Sequence, residues 1–162
     1  MKSNPVLAFP LLVACLLLSS CNYDFPLTEK PTRKIDARLL GDWVAIDPNS
    51  EKPDQMRVRQ FDDFTYAISM DNEIYRVFHT DFADTAFVSA QDLKPGNRKY
   101  FYYAWHLSAN GTQLTLKGVR TEVVPENAKT TAEIQRLIRE NLSNPKLFQA
   151  ELQFKKRKSG NN

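Results

Sequence analysis

From position 39 to 119 the chain alternates apolar and polar residues in short runs, each closed by turn formers. The clearest run sets Phe64, Tyr66, Ile68 and Met70 against Thr65, Ala67 and Ser69. That period of two is what a half-buried strand produces. Comparable runs cover 39–47, 56–61, 73–80, 85–92, 99–108 and 113–119. Asp47-Pro48-Asn49-Ser50, Asp62-Asp63, Asp71-Asn72, 81–84, Pro95-Gly96 and Asn110-Gly111 separate them. Asp71-Asn72 suits a tight hairpin, because both residues tolerate positive φ. Pro95-Gly96 suits a type II turn, with proline presetting φ and glycine accepting the positive φ after it. Seven strands joined this closely must run antiparallel, since parallel neighbours need long crossovers.

The period changes after Pro125. Thr130-Thr131-Ala132-Glu133 fits a capping box, and Ile134, Leu137, Ile138 and Leu142 then recur at helical spacing. Asn144-Pro145 stops that helix, and Leu147 to Lys155 reads as a last strand. The expected fold is therefore mainly β: an antiparallel eight-stranded meander barrel with one α-helix before the last strand. Closure removes the exposed edges of such a sheet. Eight strands enclose a space that side chains fill or that holds one small ligand. The helix is expected over one opening or on the wall.

The first twenty residues follow another pattern. Lys2 precedes an uncharged apolar run from Val6 to Leu18. That run is too short for a membrane span, which takes about 20 apolar residues, and it fits the core of a secretory signal. Leu18-Ser19-Ser20-Cys21 resembles the bacterial lipobox, an aliphatic residue and two small ones before cysteine. The resemblance implies cleavage before Cys21, thioether lipidation of its sulfur and acylation, palmitate-like, of its new amino terminus. One acyl chain anchors only marginally, so a multiply acylated cysteine suits stable attachment. Asn22 is not the aspartate that retains enterobacterial lipoproteins at the inner membrane, which implies an outer-membrane anchor facing the periplasm.

Composition then bounds the rest. The chain has 162 residues and a net charge of +3, which becomes about +2 once Lys2 leaves with the signal. The expected organisation is a signal at 1–20, a lipidated cysteine and extended tether at 21–38, a barrel domain at 39–158 and a tail at 159–162. Pro26 and Pro31 keep the tether extended. Cys15 leaves with the signal and Cys21 carries lipid, so the mature chain has no disulfide and depends on packing. So even a charge balance does not suit nucleic-acid binding. The basic run Lys155-Lys156-Arg157-Lys158 reads as a solvated end.

Leu40-Gly41-Asp42-Trp43 on the first strand resembles the Gly-x-Trp pattern of lipocalins and lipocalin-like bacterial lipoproteins. That resemblance implies that Gly41 lets the strand enter the barrel base, that Trp43 plugs the closed end, and that a late basic residue packs over the indole. Lys155, Lys156 and Arg157 are the candidates. Typical lipocalins place their main helix after the eighth strand, whereas here it precedes it.

Candidate chemistry is sparse. On 99–108, alternation puts Phe101, Tyr103, Trp105 and Leu107 on one face, with Tyr100, Tyr102, Ala104 and His106 on the other. One face can line a cavity while the other covers the outside under the helix. Tyr66, Ile68, Tyr103 and Trp105 are the candidate ligand-lining residues. His79 and His106 have no spacing that makes a metal site, which needs at least three protein ligands. No nucleophile elbow or phosphate-binding glycine loop is present. No catalytic residue, metal or cofactor is expected. The reading is a non-catalytic, membrane-anchored barrel for a small hydrophobic ligand. The alternative is a solid barrel acting on an envelope protein partner.

Overall fold

A computed structural model describes residues 23–47 and 51–157. The signal at 1–20, Cys21 and the tail at 159–162 lie outside the described residues. Eight strands form one closed antiparallel barrel in the order β1 to β8. They are β1 (Gly41–Ala45), β2 (Gln55–Gln60), β3 (Thr65–Met70), β4 (Glu73–His79), β5 (Phe87–Asp92), β6 (Tyr100–Leu107), β7 (Gln113–Gly118) and β8 (Leu152–Lys156). β8 returns to β1 through Trp43 opposite Lys156 and Ala45 opposite Phe154, which closes the sheet. The helix α1 (Thr131–Asn141) lies between β7 and β8.

The turns follow local chemistry. Asp71 and Asn72 have φ of 51° and 66°, as their hairpin requires. Gly96 has φ of 81°, and the Asn97 N–H donates to the Lys94 carbonyl at 3.0 Å, completing the turn around Pro95-Gly96. Glu133 donates its N–H to Thr130 Oγ1 at 3.1 Å, and its carboxylate accepts from the Lys129 N–H at 2.8 Å. That reciprocal cap starts α1 where the sequence places it.

Inward and outward faces divide two cores. Trp43, Met56, Val58, Tyr66, Val77, Val88, Ala90, Leu114 and Phe154 form the buried interior, joined by Phe101, Tyr103 and Trp105. Outside the wall, Phe87 and Tyr102 pack with Ile134 and Ile138 of α1, together with Tyr23, Leu27, Val119, Val124 and Leu147. β6 therefore serves both cores, as its alternation implies, and α1 lies on the wall rather than over an opening.

Three expectations change. The stretch 21–38 is not an extended tether from Tyr23 onward: Tyr23 and Leu27 are fully buried. Leu27 donates its N–H to Ser89 Oγ at 3.1 Å, Thr32 to the His79 carbonyl at 2.9 Å and Ile35 to the Asp63 carbonyl at 3.0 Å. Its few apolar residues suffice because α1 covers them from the other side: Thr131 Oγ1 and Gln135 Nε2 donate to the carbonyls of Pro26 and Leu27. The last strand begins at Leu152, not Leu147, because Leu147 and Phe148 belong to the outer core. Phe64 drops out of β3 and is 43% exposed. Asp62 Oδ1 accepts from the N–H groups of Phe64 and Thr65, which holds that corner as an Asx turn.

Candidate functional site

The two barrel ends differ. At one end the chain enters β1 through a short 3-10 turn, Ala37–Leu39. Trp43 is fully buried there and donates its Nε1–H to the Leu39 carbonyl at 2.9 Å. Lys156 Nζ lies 5.2 Å from the Trp43 ring centroid and donates to the Arg38 carbonyl at 2.6 Å. Of the three basic candidates, Lys156 is the one over the indole. It belongs to β8 rather than to a solvated run. Gly41 has φ of +133°, and a Cβ there would stand 2.9 Å from Lys156 Cε. The backbone angle is what favours glycine here, because the end of the lysine side chain can shift aside.

Above this plug the interior holds a cavity of about 400 Å³. Sites for small molecules commonly fall between about 300 and 1,000 Å³. All four sequence-stated lining residues, Tyr66, Ile68, Tyr103 and Trp105, lie on its wall, with Met56, Val88, Ala90, Phe101 and Leu116 among the others. Strand alternation brings them together: Val88 pairs with Tyr103, Ala90 with Phe101 and Trp105 with Leu116.

The mouth is polar, and the sequence reading missed it. Glu73, Asp92, Lys94, Asn97 and Gln149 line it. Tyr75 donates its hydroxyl to Glu73, and burial beside that carboxylate raises the phenol above its ordinary value. Asp92 accepts from the Lys94 N–H at 2.8 Å and from Asn97 Nδ2 at 2.9 Å, which fixes the 93–99 loop. Lys94 makes no ion pair among the described residues, so its ammonium is uncommitted at the mouth. A usable signal existed: Glu73 continues the inward period of Tyr75 and Val77, and Asp92 that of Val88 and Ala90.

Near the plugged end lies a second polar group. His79 is fully buried, with Nε2 2.8 Å from the Tyr66 hydroxyl. That hydroxyl also accepts the Asp36 N–H at 2.6 Å. Burial pushes His79 down to about 4, helped by the Arg33 charge and opposed by Asp81 and Asp36. Burial also raises Tyr66 to about 12. Arg33 sits 5.1 Å over the Trp105 ring and pairs with Asp81 at 2.8 Å. A neutral histidine held by one tyrosine orders the closed end. His106, by contrast, is exposed on the outer face. No group of three or more potential metal ligands occurs among the described residues, and no helix among them is long and apolar enough to cross a membrane.

The cavity can therefore enclose an apolar body below a polar collar that includes Lys94. Comparison of the chain with protein-family profiles, with curated proteins and with solved structures gives no match.

Proposed function

We propose that this chain is a lipid-anchored, lipocalin-like protein of the bacterial envelope whose barrel carries one small amphiphile and performs no catalysis. The cavity supports the reading most directly: about 400 Å³ of space, walled by aliphatic and aromatic side chains and collared by Lys94, Asn97 and Glu73. An aliphatic chain gains from leaving water in such a place, at about 0.8 kcal/mol per buried methylene. A polar or anionic head would stay at the mouth beside Lys94. The lipobox-like Leu18-Ser19-Ser20-Cys21 supports the anchor, and the Gly41, Trp43 and Lys156 arrangement fits the resemblance drawn from sequence.

Titration of the soluble Cys21→Ser protein with a fluorescent fatty acid tests the binding reading. Saturable binding of one molecule per chain, displaced by an unlabelled single-chain amphiphile, is expected. A linear, non-displaceable signal would refute it.

A further inference from the structure

The point where a lipid anchor would leave the domain lies at the same end as the cavity mouth. Tyr23 is the first described residue. Its N–H donates to the Tyr100 carbonyl at 2.9 Å, and the Tyr100 N–H donates back at 2.8 Å. The Tyr23 ring stacks on Tyr102 with centroids 4.4 Å apart, and its hydroxyl donates to the Val124 carbonyl at 2.7 Å. Asp24 pairs with Lys99. Tyr100 opens β6, directly after the 93–99 loop that carries Lys94 and Asn97 at the mouth. From Tyr23 the chain runs down the wall toward the plug, reaching His79 at Thr32. Only Asn22 lies between Cys21 and this fixed point, so two Cα–Cα steps, at most about 7 Å, separate them.

A second observation concerns the rim itself. Seven large hydrophobic side chains are exposed among the described residues, and four of them, Ile46, Ile74, Leu93 and Leu152, lie at the mouth end. Ile46 follows β1 and donates its N–H to the Gln153 carbonyl, while Leu93 follows β5 and donates to the Ile74 carbonyl. Leu152 opens β8 and Ile74 lies at the start of β4. The rim thus presents aliphatic residues from four strand ends around a polar collar. Phe61 and Phe64 are exposed at the opposite, plugged end.

We infer that the barrel sits mouth-down on the bilayer that holds its own anchor, with Ile46, Ile74, Leu93 and Leu152 entering the lipid interface and the cavity opening toward the lipid. This inference rests on lipidation of Cys21. A short tether raises the effective concentration of the rim at the surface, and interfacial attachment grows with the apolar area buried. The ligand class follows: an amphiphile drawn from the membrane, whose chain passes into the barrel without crossing water. The opposite orientation would hold the mouth away from the lipid and leave the aliphatic rim in water.

The test uses the full chain, processed in bacteria and placed in phosphatidylethanolamine–phosphatidylglycerol vesicles. With Cys21 lipidated and Cys15 removed, the mature protein offers no other thiol, so Leu93→Cys and Phe61→Cys each give a single site for a fluorophore. The mass of the amino-terminal peptide is read on the same samples. Quenching by a spin label at the lipid headgroup level is expected to be severalfold stronger at position 93 than at 61. Equal quenching, or stronger quenching at 61, on a lipidated chain overturns the orientation while leaving the anchor standing. An unlipidated amino-terminal peptide overturns both. Fatty-acid binding by the soluble protein reports the cavity separately from either result.

Discussion

Gly41 and Lys156 meet at the barrel base: the space a Cβ would need at Gly41 is taken by the lysine stem, whose ammonium lies over Trp43. Gly41→Ala adds a strained φ of +133° to that contact, and an incompatible backbone of this kind costs more than about 1 kcal/mol. Lys156→Ala removes the stem that crowds Gly41 together with the cation over the indole, the latter a loss of about 0.5 to 2 kcal/mol, and takes the donor from the Arg38 carbonyl. Because the two residues touch, the double variant should be less destabilised than the sum of the single ones. Urea unfolding of the four proteins reads this coupling, and strict additivity would contradict it.

Ala90 faces the cavity between Val77 and Phe101, its partners on the neighbouring strands. Ala90→Phe should place a ring in the empty space. Affinity for a single-chain amphiphile should then fall by tenfold or more, a loss of about 1.4 kcal/mol or greater, while thermal stability holds or rises. Unchanged binding with an intact fold would place the ligand elsewhere.

Lys94 lines the mouth and makes no ion pair among the described residues. Lys94→Glu should weaken an anionic amphiphile by about fivefold, in line with at most about 1 kcal/mol for an exposed charge pair. A fatty alcohol of equal length should bind both proteins alike. Calorimetric titration with the two ligands distinguishes a head-group contact from a general loss of binding.

His79 makes the fold sensitive to mild acid. Its buried ring sits at about 4, below the ordinary 6.5, so the unfolded chain takes up a proton before the folded one does. Stability should be fully present above about pH 6.5 and decline as pH falls toward 4, by up to about 3 kcal/mol. Arg33, next to the ring, opposes protonation, while Asp36 and Asp81 favour it without reversing the direction. His79→Gln, which keeps a polar partner for Tyr66, should flatten that slope. Chemical denaturation across this range checks it, and an equal slope in both proteins would assign the acid sensitivity to other groups.

The alternation that defines β3 and β6 was legible because each strand has one face in the barrel core, so Tyr66, Ile68, Tyr103 and Trp105 could be placed on the wall from sequence. Turn chemistry located Asp71-Asn72 and Pro95-Gly96, whose backbone angles few other residues accept. The packing of Tyr23 and Leu27 was not legible. Their partners are Tyr102, Val124 and α1, far along the chain, and two prolines with scattered charges look the same in a spacer as in a strap. The mouth was hidden for a related reason. Glu73 and Asp92 fall beside turns, where acidic residues commonly serve the backbone, and only barrel closure sets them around one opening.

Whether the barrel carries a ligand is the central claim, and native mass spectrometry of the soluble Cys21→Ser protein, purified gently from a bacterial periplasm, tests it most directly. The account predicts a discrete added mass, equal to one amphiphile per chain, that organic solvent releases and Ala90→Phe abolishes. A bare mass that stays unchanged after incubation with envelope lipid extract would contradict it.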